Sequence, residues 1–205
     1  MTKIKICGIT REDDALFCSE QGADFLGFIF VPGSPRFIEP ERAAAIAARV
    51  RERERHPKFV GVFRDASNDY IREITSVIGL DLVQLHGNET DEDISNLGIP
   101  VVKSLRVAET LPDTHACPNA AWLLFDTYDD RRAGGTGRRF DWSLLAHYDR
   151  SKPFFLSGGI DPENAVAGIS LVRPDAIDIA SGVESEPGIK DHEKVTRLFE
   201  RVRRG

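Results

Sequence analysis

Short apolar runs, many of them β-branched or aromatic, alternate along the chain with longer stretches of mixed polar and apolar residues. They fall at residues 3–7, 24–30, 59–63, 81–85, 101–105, 122–126, 154–157 and 176–180. Each has the length of a strand rather than a helix. Between them the pattern turns helical. Residues 41–53 are rich in Ala and Arg, with Ile46 and Val50 one helical turn apart. Ile71, Ile74 and Ile78 recur at helical spacing, and Leu145 and Tyr148 follow Asp141. Val195, Leu198, Phe199 and Val202 form one apolar face of a final helix. Asp161-Pro162 reads as an N-cap followed by proline at the first helical position.

Eight strand–helix units in strict alternation predict parallel strands joined by right-handed crossovers. The runs are continuously apolar, as strands covered on both faces should be. A single-domain α/β fold, a closed (β/α)8 TIM barrel over residues 1–205, uses all eight. A doubly wound open sheet is the rival. It usually has fewer strands, and no Gly-x-Gly-x-x-Gly follows the first run. No Ser/Gly/Pro linker or long charge block divides the chain.

Charge then narrows the partners. The chain carries 27 Lys+Arg against 33 Asp+Glu, a net charge of −6 with His neutral. That balance argues against a nucleic-acid surface, which needs clustered positive charge. It leaves room for a small anionic ligand held by a few placed donors. No run approaches the ~18 apolar residues of a membrane span, and the first residues lack the apolar core of a signal peptide. The 3 cysteines are an odd number at spacings that fit no metal signature, which points to a reducing cytoplasm and no metal site.

In such a barrel the active site lies where the strands end, so polar residues closing the apolar runs draw the attention. Cys7 closes the first run beside Gly8. A thiol there serves as a general base if nearby positive charge lowers its pKa, or as a small buried hydrophobe, the commoner fate of free cysteine. Cys18 falls within the first helix pattern and Cys117 in a loop beside Pro118; neither suggests a role. Asp126 closes a strongly apolar run. It reads equally as an acid with a raised pKa or as a cap. A long segment, residues 128–139, follows it and contains Gly134-Gly135-Thr136-Gly137, a pattern suited to a substrate-covering loop or a plain surface loop.

Gly158 and Gly159 follow the seventh run, and Ser181 and Gly182 the eighth. Each pair alone marks little more than a turn. Together they occupy the loops where barrels commonly bind phosphate through backbone N–H groups. Arg36, after the second run, can grip a carboxylate through two parallel hydrogen bonds, or lie on the surface. His86 ends the fourth run, where packing is the commoner role. Asp178 lies inside the eighth run and needs a partner if it faces the interior, either a substrate hydroxyl or a Lys or Arg. An acid and a base on separate strands with a sugar phosphate between them suggest proton-transfer isomerisation.

The same residues carry a resemblance. KICGIT at residues 5–10, GFIF at 27–30, SPR at 34–36, VGVF at 60–63 and VQLHG at 83–87 begin the series. FDT at 125–127, GGTG at 134–137, FDW at 140–142, LSGGIDPEN at 156–164 and DIASGVESEPGIKD at 178–191 complete it. In order and over nearly the whole chain, this set resembles the phosphoribosylanthranilate isomerases of tryptophan biosynthesis. The resemblance implies a cofactor-free Amadori rearrangement of N-(5′-phosphoribosyl)anthranilate to 1-(2-carboxyphenylamino)-1-deoxyribulose 5-phosphate. It implies Asp126 as general acid, Cys7 as general base, and Arg36 on the anthranilate carboxylate. Gly158, Gly159, Ser181 and Gly182 would hold the phosphate.

Related phosphate-binding barrels fit less well. An indole-glycerol-phosphate synthase would carry an N-terminal helical extension and catalytic lysines, and a ribulose-phosphate epimerase would carry metal-ligating His and Asp. A bifunctional histidine/tryptophan isomerase is expected to have Asp where Cys7 stands. A binding barrel without catalysis would have lost Cys7 or Asp126. With no evident exposed apolar stripe, the chain is expected to be a monomer rather than a homodimer, although the family contains dimers.

Overall fold

The computed structural model describes residues 1–127 and 140–205, so Gly134-Gly135-Thr136-Gly137 and the rest of that segment lie outside the described residues. Eight parallel strands close into a barrel in chain order. They are β1 (Lys3–Cys7), β2 (Phe25–Ile29), β3 (Lys58–Phe63), β4 (Leu82–Leu85), β5 (Val101–Val107), β6 (Trp122–Thr127), β7 (Phe154–Leu156) and β8 (Ala176–Ile179). Closure comes from β1 pairing with β8, where Lys5 stands opposite Asp178. All eight predicted runs are strands, because a strand buried on both faces must be apolar on both parities and therefore stands out in sequence.

The two parities of each strand feed different layers. Ile4 and Ile6, with Leu26, Phe28, Phe59, Leu123 and Ile177, face outward into a core shared with the helices. The opposite parity fills the barrel. One layer of it is wholly apolar: Phe25, Val60, Leu82, Val102, Leu124, Phe155 and Ala176. Two residues further along their strands the layer turns polar, with Gln84, Ser104, Asp126 and Asp178 all buried, and Lys5 of β1 joining them. The apolar layer closes the floor; the polar layer above it is the base of the site.

The helices pack one face on this wall. In α1 (Glu12–Glu20) the buried residues include Ala15 and Cys18. Pro40 opens α2 (Pro40–Arg51), whose Ala43, Ile46, Ala47 and Val50 are buried. The Ser67 hydroxyl caps α3 (Asn68–Ile78) by accepting from the Tyr70 amide. A single turn, α4 (Asp91–Ser95), follows β4. The final α6 (His192–Arg204) buries Val195, Leu198, Phe199 and Val202, and Asp191 caps it. No helix among the described residues is long and apolar enough to cross a membrane.

Three local expectations are corrected. The strict alternation breaks after β5, where residues 108–121 form no helix. Pro112 and Pro118 interrupt that segment, and Cys117 and Ala120 cover the wall without one. After β6, Trp142–His147 is a 3-10 helix capped by Asp141 rather than an α-helix. The helix after β7, α5 (Ala165–Val172), begins later than Asp161-Pro162 suggests. Asp161 instead holds a turn before it, accepting from the Glu163 and Asn164 amides. Past β8, a 3-10 turn (Ser181–Val183) leads into an antiparallel hairpin of β9 (Glu184–Glu186) and β10 (Ile189–Lys190).

Candidate active site

Lys5 and Cys7 share the inner parity of β1. The Lys5 side chain is 1% exposed, and its ammonium donates to Asp178 Oδ1 at 2.9 Å and to Gln84 Oε1 at 2.8 Å. The reach from β1 to β4 crosses the barrel interior. Burial disfavours the charge on Lys5, but Asp178 and then Cys7 outweigh it, so its pKa rises and it remains an ammonium. Asp178 thus has the partner its position demands. Gly27 of β2 makes room for this arrangement: a Cβ there would lie 2.8 Å from Cys7 Sγ and 3.3 Å from Lys5 Cε. Burial pushes the Cys7 thiol up, and Lys5 is the largest influence pulling it back.

Asp126 ends the inner parity of β6. Burial lifts its carboxyl from 3.8 to about 6, against the opposing bond from the Thr127 amide to Oδ1 at 2.8 Å. His86 Nε2 lies 3.5 Å from Asp126 Oδ2. The bond from Lys5 fixes the Gln84 amide, whose NH2 then points to Ser104 Oγ and to His86 Nδ1, each at 3.3 Å. His86 Nδ1 therefore accepts, and the ring proton sits on Nε2 toward Asp126. Burial, helped by Arg106 and Lys5, lowers His86 to about 4, so the ring is neutral at pH 7.

Arg36 stands on the other flank of Cys7, on the loop after β2. It is not free: its guanidinium forms a two-bond fork with Glu184 of β9. The glycine loops end β7 and β8. Among the described residues, no backbone carbonyl accepts from the amides of Gly158, Gly159, Ser181 or Gly182. Gly182 is required by close approach, since a Cβ there would run into the Ile160 carbonyl. Backbone amides in glycine-containing loops at a strand end are of the kind that suits an anion.

The barrel therefore gathers the predicted site residues at one end. Cys7, His86, Asp126 and Asp178 belong to one network, Arg36 flanks it, and the glycine loops close the β7–β8 side. Cys18 and Cys117 lie elsewhere and are buried; burial pushes Cys18 to about 12. Sequence reading missed Lys5, Gln84, Ser104 and Glu184. For Lys5, Gln84 and Ser104 the available signal was parity: Lys5 lies two before Cys7, and Gln84 two before His86. Among the described residues, no group of His, Cys, Asp or Glu side chains could hold a metal ion.

Comparison with known proteins identifies the family. The family model for N-(5′phosphoribosyl)anthranilate (PRA) isomerase matches residues 4–201. An N-(5′-phosphoribosyl)anthranilate isomerase from Pseudomonas fluorescens (strain Pf0-1) is 43% identical over 205 residues, covering 97% of each chain. The crystal structure of the phosphoribosyl anthranilate isomerase from Thermotoga maritima superposes with a TM-score of 0.89 at 38% identity, covering 100% of both chains. A crystal structure of phosphoribosyl anthranilate isomerase in complex with reduced 1-(o-carboxyphenylamino)-1-deoxyribulose 5-phosphate superposes at a TM-score of 0.84 with 37% identity, covering 100% of both chains. The chain belongs to the N-(5′-phosphoribosyl)anthranilate isomerase family, the isomerases of tryptophan biosynthesis.

Proposed function

We propose that the chain converts N-(5′-phosphoribosyl)anthranilate to 1-(2-carboxyphenylamino)-1-deoxyribulose 5-phosphate by general acid–base catalysis, with Asp126 as acid and Cys7 as base. The observation that carries this reading is Asp126 itself. A buried carboxyl lifted to about 6 is still protonated in roughly a tenth of molecules at pH 7, far more than an ordinary aspartate, and so can serve as an acid there. In the first step Asp126 gives that proton to the ribose ring oxygen. The C1′–O bond breaks, and the nitrogen lone pair forms a C=N bond, leaving a protonated Schiff base. In the second, the Cys7 thiolate removes the C2′ proton. The electrons of that C–H bond form C1′=C2′ and quench the iminium, giving an enolamine that tautomerises to the aminoketone.

Lys5 explains how a buried thiol can act. Its ammonium stabilises the thiolate, and the iminium acidifies the C2′ proton, so a small thiolate fraction suffices. Arg36 would hold the anthranilate carboxylate and the amides of Gly158, Gly159, Ser181 and Gly182 the phosphate. Gripping both anionic ends fixes the reacting carbons between base and acid.

The test is turnover of freshly made substrate by purified protein with chelator present, with Cys7→Ala and Asp126→Asn beside it. The wild type should convert it, and each variant should lose at least ~100-fold in kcat, the usual scale of acid–base catalysis. A variant within about tenfold of wild type would remove that residue from its role.

A further inference from the structure

Glu184 occupies an unusual position for a carboxylate. It is buried, lies beyond the last barrel strand, and satisfies several donors at once. Arg36 Nε reaches both of its oxygens, at 2.9 and 3.0 Å, and Arg36 Nη2 bonds Oε2 at 2.7 Å. Lys190 Nζ bonds Oε1 at 2.7 Å, and the Gly188 amide adds a bond to the same oxygen at 3.2 Å. Burial alone would push this carboxyl up; Arg36 and Lys190 overcome that and hold it low, so it is ionised.

Two features of this cluster bear on the substrate. The first is which edge of Arg36 is used. A guanidinium has donors along two edges that match a carboxylate. Glu184 takes the Nε/Nη2 edge, which leaves the Nη1/Nη2 edge for a second carboxylate. The charges agree: two cations and one anion leave a single positive charge. The second is where Lys190 goes. Its ammonium also donates to the Cys7 carbonyl at 2.6 Å. The same carboxylate therefore braces the Arg36 side chain and the strand end that carries Cys7.

We propose that Glu184 is a positioning residue for substrate binding: it holds Arg36 by one edge so that the other is presented to the anthranilate carboxylate, and through Lys190 it sets that clamp against Cys7. This rests on the reading of Arg36 given above. On this reading Glu184 acts on substrate binding through Arg36 rather than by direct contact, so its effect on KM disappears when Arg36 is gone, whatever its brace through Lys190 does to kcat.

A double-mutant cycle reads this directly. KM and kcat are measured for wild type, Arg36→Met, Glu184→Gln and the double variant, with thermal unfolding to confirm that each is folded. Glu184→Gln removes the charge and replaces one acceptor with a donor facing the guanidinium. It should raise KM by about tenfold. In the Arg36→Met background the same change should leave KM within about twofold. Equal KM increases in both backgrounds would mean that Glu184 only supports the fold, and would overturn the proposal. So would an unaltered KM in Glu184→Gln alone. An unaltered KM in Arg36→Met would defeat the carboxylate clamp itself, a separate failure. Should Glu184→Gln not fold, Glu184→Asp keeps the charge but shortens the reach, and enters the same cycle with the same expectation.

Discussion

Replacing Asp126 with Asn should make the protein more stable at neutral pH while removing its activity. In the folded chain burial lifts Asp126 from 3.8 to about 6. In the unfolded chain water solvates the carboxyl and it ionises at its ordinary value. Below that value both states are protonated, and the group costs nothing. As pH rises further the unfolded chain sheds its proton while the folded chain keeps it, so stability falls. Above about 6 both states are ionised and the penalty is complete. The difference, 6 − 3.8 = 2.2, corresponds to about 3 kcal/mol. Asn keeps the shape and the acceptor for the Thr127 amide without the charge, so it escapes that cost. Urea denaturation of both proteins is the assay. The variant should gain about 1 kcal/mol over wild type near pH 4.5 and about 3 kcal/mol near pH 7.5. Other titrating groups are common to both proteins and largely cancel. A gap that does not grow with pH, or that favours the wild type near pH 7.5, would refute the view that the fold holds Asp126 against its own solvation.

Two further substitutions test the surroundings. Lys5→Met breaks a buried ion pair and strands Asp178, so urea denaturation should show a loss of about 3–5 kcal/mol. Adding Asp178→Asn should restore much of it, and no restoration would mean that Lys5 stabilises by packing alone. Gly182→Ala places a methyl against the Ile160 carbonyl. It should cost about 1–3 kcal/mol of stability and raise KM more than it lowers kcat; an unchanged KM would take Gly182 out of the phosphate site.

The barrel was legible because its strands are short runs largely apolar on both parities, each set off by a longer stretch of different pattern. The outer layer was less so. A crossover need only cover the wall, and between β5 and β6 Cys117 and Ala120 do so from an irregular segment. Cys7 and Asp126 stood out as candidates because they close apolar runs, although each kept a structural alternative. Lys5 did not, since a lysine near the start of a chain reads as solvated until closure sets it opposite Asp178 and within reach of Gln84. Glu184 stood inside a quoted motif, yet its meaning depends on Arg36, which lies 148 residues away.

The pairing of Asp126 with His86 shows why the network is built as it is. In water a carboxyl is the stronger acid, and an adjacent imidazole with an ordinary value of 6.5 would take its proton. Asp126 would then be a carboxylate facing an imidazolium, with nothing to give the ring oxygen. Here the order is reversed, with His86 at about 4 and Asp126 at about 6. Burial drives both shifts, because it penalises the charged form of each: the cation of His86 and the anion of Asp126. The cations around His86, Arg106 and Lys5 foremost, press its value lower still. They also work against the rise of Asp126, which burial nevertheless dominates. When the pair takes up a proton it therefore goes to the carboxyl rather than the imidazole, and the neutral imidazole turns its Nε2 proton toward Asp126 Oδ2. On the proposed mechanism that donor faces the carboxylate left when Asp126 gives up its proton, so one network favours the proton on the acid over the imidazole and stabilises the conjugate base once the proton has gone.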